Sequence, residues 1–145
     1  MGDNYINPGC TVDLIVPCNE GIVLIKRKHD PFKDHWALPG GFLDMDKESL
    51  EEAGARELFE ETNLSADTDD LRLVGVYSKP KRDPRGHVVS HAYEVRKWSG
   101  KLRANDDAAK ARVFTFAEIP HIKLAFDHND ILRDYLDWKN MEGLE

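Results

Sequence analysis

Cysteine is scarce in this sequence. Cys10 and Cys18 are the only two among 145 residues. Two thiols in a chain of this length do not make a disulfide framework. They read instead as small buried apolar side chains in a reduced, cytoplasmic protein. Long hydrophobic runs are missing too: nothing approaches the ~20 apolar residues that a membrane helix needs. The opening "MGDNYINPGC" lacks the basic and apolar pattern of a secretory signal, and Ile6 stands where a myristoylation signal carries Ser or Thr. Positive charge is in deficit. Lys and Arg number 20 against 27 Asp and Glu, a net of -7, which argues against nucleic acid as a partner. It leaves a phosphorylated small molecule open as substrate, because a divalent metal can supply positive charge locally. No internal repeat, low-complexity tract or long linker divides the chain.

What is present suits one domain, residues 1–145, with 41% hydrophobic residues to form a core. "TVDLIVPCNEGIVLIKRK" reads as two β-runs joined at Asn19–Gly21, a hairpin. "DPFKDHWALPGGF" is loop-like, with a short strand near Trp36–Leu38. "LRLVGVYSKP" and "HVVSHAYEVRKW" are two further strands around the basic turn "KPKRDPRG", and "RVFTF" is a late strand. "DHNDILRDYLDWK" has helical apolar spacing, with Asp127 as its expected N-cap. This order indicates an α+β fold, a mixed sheet with helices packed on it.

The other helix raises a question. Ser49 and Glu52 form a capping-box pattern, and Asn63 is placed to close the helix in a left-handed conformation, so the expected span is Leu50–Thr62. At ~100° per residue, Ala53, Gly54 and Leu58 fall within ~80° of Leu50 and mark a buried stripe. Glu57 and Glu61 fall within ~20° of the middle of that stripe, Glu60 lies on its flank, and Phe59 lies opposite, which suggests a helix covered on both sides. An uncompensated charge on an inward face costs several kcal/mol. Arg56 supplies one positive charge beside three carboxylates. Clustered carboxylate oxygens suit a hard dication, Mg²⁺ or Mn²⁺, which completes its coordination with water and substrate phosphates.

"GGFLDMDKESLEEAGARELFEETNL", Gly40 to Leu64, resembles the Nudix box, G-x5-E-x7-R-E-U-x-E-E-x-G-U, where U is a bulky apolar residue. Glu48 and the run Arg56-Glu57-Leu58-Phe59-Glu60-Glu61 match in register. "LPGG" ahead of them is also typical of the family. Six residues rather than five separate Gly41 from Glu48, and Asn63 stands where the family has glycine. The resemblance implies an α/β/α sandwich with a mixed β-sheet between helices. It implies that Glu57, Glu60 and Glu61 hold the metals with the Gly41 carbonyl, one of the glutamates serving as base. Arg56 would orient a glutamate and Glu48 would brace the loop. "VGVYSKPKRDPRGHVVSHAYEV" and "LAFDHNDIL" further resemble the ADP-ribose pyrophosphatases of the family, which implies cleavage of ADP-ribose to AMP and ribose 5-phosphate, and a homodimer.

Substrate contacts are expected from several other residues. Arg82, Arg85 and Arg27 can grip phosphate or ribose as guanidinium forks do. Trp36, Phe42 and Tyr77 are candidate platforms for adenine. Asp106 or Asp107 is a candidate further acid on the loop before "RVFTF", and by resemblance His128 contacts substrate. Two alternatives stand beside this reading. One is a non-catalytic ADP-ribose sensor, since the same flanking motifs recur in Nudix-domain transcriptional regulators. The acidic stretch after "RVFTF" is, however, too short for the winged helix such regulators carry. The other is a house-cleaning hydrolase of an oxidised nucleoside triphosphate or another NAD-related nucleotide.

Overall fold

The run from Thr11 to Val16 is buried at every position, not at alternate ones, which requires cover on both faces of its strand. A computed structural model describing residues 6–105 and 108–143 shows that cover. Strand β1 (Gly9–Ile15) lies inside a four-stranded sheet. It pairs antiparallel with β5 (Gly40–Phe42) and parallel with β7 (Val88–Val95), and β7 pairs antiparallel with the edge strand β6 (Leu71–Tyr77). The sheet is therefore mixed, as expected. A second sheet is built on β3 (Gly21–Lys26), which pairs antiparallel with β2 (Pro17–Cys18), β4 (Trp36–Ala37) and β8 (Lys110–Thr115).

Two helices close the sandwich. Helix α1 (Leu50–Thr62) packs Ala53 and Leu58 against Val12, Leu14 and Val16. Helix α2 (His128–Gly143) packs Ile131, Leu132 and Tyr135 against Ile15, Ile22 and Leu24. Neighbouring β1 residues thus serve opposite layers, because side chains alternate across a strand. Gly21 lets β3 approach β8: a Cβ there would lie 2.1 Å from the Phe114 carbonyl oxygen. Among the described residues no helix is long and apolar enough to cross a membrane.

Several expectations change. The hairpin at Asn19 joins β2 to β3, whereas β1 leaves for the other sheet, so the two long runs are not partners. Phe59 is 50% exposed, so α1 is covered on one side only. Asp127 precedes α2 as expected, but its carboxylate accepts from Arg82. Cys10 and Cys18 are half-buried, not fully buried.

Leu58 is fully enclosed between α1 and the sheet. Leu58→Ala is expected to cost about 2–5 kcal/mol, read as a lower urea midpoint with little change in slope.

Candidate active site

The predicted start and stop signals of α1 are both in place. Ser49 accepts from the Glu52 N–H and Glu52 reaches back to the Ser49 N–H, while Asn63 closes the helix at φ 65°. This sets the rotation of the helix and turns Glu57 and Glu61 inward, where they are 9% and 6% exposed. Glu60 is on the flank, half-buried.

Arg56 is engaged through all five N–H groups that a guanidinium offers. Its Nε donates to Glu48 Oε1 at 2.8 Å and its Nη2 to Glu48 Oε2 at 2.7 Å. Nη2 also reaches the Phe42 carbonyl at 3.2 Å, and Nη1 donates to Glu57 at 2.9 Å and to Glu60 at 3.1 Å. The fork on Glu48 is the bidentate geometry that favours arginine over lysine. The hydrogen bonds from Arg56 are the largest influence on Glu48, and they lower its pKa from 4.5 to about 2. Four carboxylates, Glu48, Glu57, Glu60 and Glu61, thus stand against the single guanidinium of Arg56, whose donors are all engaged.

The Gly40–Gly41 strand abuts this helix. The Gly40 N–H donates to Glu61 Oε1 at 2.7 Å. A Cβ on Gly41 would fall 2.6 Å from Glu57 Oε1, so any side chain there would occupy the carboxylate's place. The extra residue between Gly41 and Glu48 does not disturb this contact. It is absorbed in a turn where Asp46 is left-handed at φ 69° and the Asp44 N–H donates to Glu48. Among the described residues no three acidic or histidine side chains already converge as a finished metal site. The donor set nonetheless fits a hard dication: carboxylate oxygens, two of them on buried side chains, against a glycine cradle.

Glu61 and the two glycines share a cleft with cationic and aromatic side chains. Arg85 lies over Phe42 at 4.7 Å and Phe126 at 5.2 Å, and Arg27 lies over Phe126 at 4.9 Å. Asp83 grips Arg85 at both carboxylate oxygens, at 3.1 and 2.8 Å. Burial opposes the charge on Asp83, but the Arg85 guanidinium and backbone N–H outweigh it and hold the pKa low. Arg27 donates from Nε to the Pro31 carbonyl at 2.7 Å.

The other expected site residues are placed differently. Arg82 is held by Asp127 at 2.6 and 2.8 Å, and its side chain is only 3% exposed. It lines the cleft as expected, but through Asp127 it also braces the entry to α2. Trp36 packs on Phe114 with ring centroids 4.7 Å apart, away from the glutamates, so it is no platform for a ligand in this cleft. Tyr77 is likewise elsewhere, donating to Asp134 at 2.8 Å. His128 lines the cleft but is buried, with its ring on the Leu38 backbone and Asp13. Asp106 and Asp107 lie outside the described residues.

Two residues went unassigned in the sequence. Phe126 sits in the left-handed region at φ 53°, a conformation no local signal announces. Asp13 is a lone acid in the apolar run "TVDLIV", which was the available clue. Burial would raise its pKa, yet His128, the Ser90 hydroxyl and Arg82 together hold it below its ordinary value.

Residues 9–135 match the NUDIX domain family, and the chain belongs to it. It is 48% identical over 136 residues to the ADP-ribose pyrophosphatase of Methanocaldococcus jannaschii, covering 94% of this chain and 78% of that protein. It is 33% identical to the ADPR responsive transcriptional repressor NtrR of Acinetobacter baylyi, covering 90% of this chain and 54% of the repressor. Among solved structures it resembles a bifunctional NMN adenylyltransferase/ADP ribose pyrophosphatase from Francisella tularensis, determined with AMP and a Mn ion. The TM-score is 0.81 at 33% identity, over 93% of this chain and 43% of that one.

The low pKa of Glu48 has a signed consequence. A carboxylate depressed in the folded state adds stability above its unfolded pKa and loses it as pH falls through the folded value. The stability gap between wild type and Glu48→Gln is therefore expected to be full above pH 4.5 and to close toward about pH 2, measured by denaturant melts across that range.

Proposed function

We propose that the protein is a metal-dependent pyrophosphohydrolase that cleaves ADP-ribose to AMP and ribose 5-phosphate, with Mg²⁺ as the working ion and Mn²⁺ as a substitute. The observation that carries this reading is the complete Nudix carboxylate set on α1, abutted by glycine, with Glu61 lining one cleft together with Arg27, Arg85, Phe42 and Phe126. The 48% identity to a named ADP-ribose pyrophosphatase supports the choice of substrate.

Glu57, Glu60 and Glu61, with the Gly41 carbonyl, would hold the ion. Once bound, it lowers the pKa of water and neutralises charge developing on the pyrophosphate. Arg56 keeps Glu57 and Glu60 in place, and Glu48 keeps Arg56 in place. Water attacks one phosphorus, the bridging P–O bond breaks, and a carboxylate of the set takes the water's proton. Arg27 and Arg85 complement the phosphates, while Phe42 and Phe126 offer apolar faces at the same opening. Asp107, which precedes β8 in the sequence, is proposed as a further acid. The proposal also includes a homodimer in the cytoplasm, which light scattering on the purified chain tests for mass.

The likeness to NtrR favours one competing reading, an ADP-ribose binder without turnover. Hydrolysis separates the two. AMP release from ADP-ribose is expected with Mg²⁺ or Mn²⁺, and Glu61→Gln is expected to lower kcat about 10²–10⁴-fold. Tight binding of ADP-ribose without turnover would establish the sensor instead. A tenfold or greater preference in kcat/KM for a nucleoside triphosphate would overturn the substrate assignment.

A further inference from the structure

The elements that carry the site meet at the first turn of α2. The Ala125 N–H donates to the Trp36 carbonyl at 2.9 Å, and Asp127 holds Arg82 from the β6–β7 connection. The Leu38 N–H, in the segment that links β4 to β5, donates to His128 Nδ1 at 3.0 Å. Both residues are buried, at 2% and 3% exposure. Two residues further along, the Gly40 N–H meets Glu61, and next to it Gly41 abuts Glu57. The Leu38 N–H is thus a fixed point just before the glycines against which the metal-facing glutamates are set.

An imidazole nitrogen that accepts an N–H carries a lone pair there, so in this geometry the ring proton resides on Nε2. His128 Nε2 stands 3.4 Å from Asp13 Oδ1, and Asp13 Oδ2 takes the Ser90 hydroxyl. Asp13 pairs with Gly40 across β1 and β5, so the carboxylate that orients the ring belongs to the same patch of backbone. Ser90, Asp13, His128 and Leu38 form a relay in which each member orients the next. Carboxylate–histidine pairs of this kind fix both tautomer and ring angle.

We propose that His128 is a positioning residue: through its Nδ1 lone pair it holds the Leu38–Gly41 backbone, and so fixes where Gly40 and Gly41 meet Glu61 and Glu57. Asp13 acts one step behind it by fixing the tautomer. The role rests on the metal site proposed above but not on the choice of ADP-ribose as substrate.

The test separates the two ring nitrogens. In His128→Asn the amide oxygen sits near the place of Nδ1 and can still accept from Leu38. In His128→Gln the amide reaches toward Nε2 and Asp13 and leaves the Leu38 N–H without its acceptor. Mn²⁺ binding, read by electron paramagnetic resonance without any substrate, is expected to stay within threefold of wild type in His128→Asn. It is expected to weaken about 10–100-fold in His128→Gln, as loss of an outer partner to a metal site does. kcat on ADP-ribose should fall in parallel while KM holds. Equal Mn²⁺ affinity in wild type and His128→Gln, or equal loss in both variants, would overturn the proposal, as would a wild type that binds no Mn²⁺. The expected Mn²⁺ pattern without ADP-ribose turnover would leave the proposal standing and remove the substrate reading. Wild-type protein alone supplies a further check that does not depend on a variant folding: long-range ¹H–¹⁵N spectra should show His128 protonated at Nε2, and an Nδ1-protonated ring would contradict the role.

Discussion

The saturated guanidinium of Arg56 is the contact on which the site depends. One side chain donates to Glu48, Glu57, Glu60 and the Phe42 carbonyl, and so ties the loop after β5 to the inward face of α1. A lysine could not do this, because it offers a point charge in place of a planar fork. The arrangement holds the carboxylates close to one another against their mutual repulsion. Such a cluster costs folding free energy, and the dication proposed for this site would offset that cost.

The rest of the fold supplies walls for that cluster. Because β1 is covered on both faces, its residues can serve the α1 layer through Val12 and Leu14 and the cleft through Thr11 and Asp13. The glycines of β5 lie beside β1 in register, Gly41 with Val12 and Gly40 with Asp13, which brings bare backbone up to Glu57 and Glu61. From the far side, the β6–β7 connection brings Arg85, and the turn before α2 brings Phe126. Acidic and basic side chains thus reach one cleft from segments distant in sequence.

Much of this was legible in the sequence because it depends on short-range rules. The capping box, the left-handed Asn63 and the 3.6-residue period together place α1 and turn Glu57 and Glu61 inward, with no tertiary information needed. Strand pairing was less legible. The turn at Asn19 is marked by local turn residues, yet nothing local says that β1 passes to a different sheet from β3. The roles of Arg82 and Trp36 were hidden for the same reason. An arginine in a polar turn looks available until its partner, Asp127, is brought to it from a distant segment. A tryptophan beside a glycine loop looks like a ligand platform until the second sheet places Phe114 against it. Asp13 and His128 are 115 positions apart in the sequence, and only the sandwich places them side by side.

The central claim, that bound dications compensate the inward carboxylates, is tested most directly by thermal melting with and without Mg²⁺ or Mn²⁺. A ligand at a hundredfold its Kd adds about 2.7 kcal/mol to the folded state. Wild-type Tm should therefore rise by several degrees with metal, and the Glu57→Gln/Glu61→Gln double variant should show no such rise. An unchanged wild-type Tm at millimolar metal, or an equal rise in the double variant, would contradict the account.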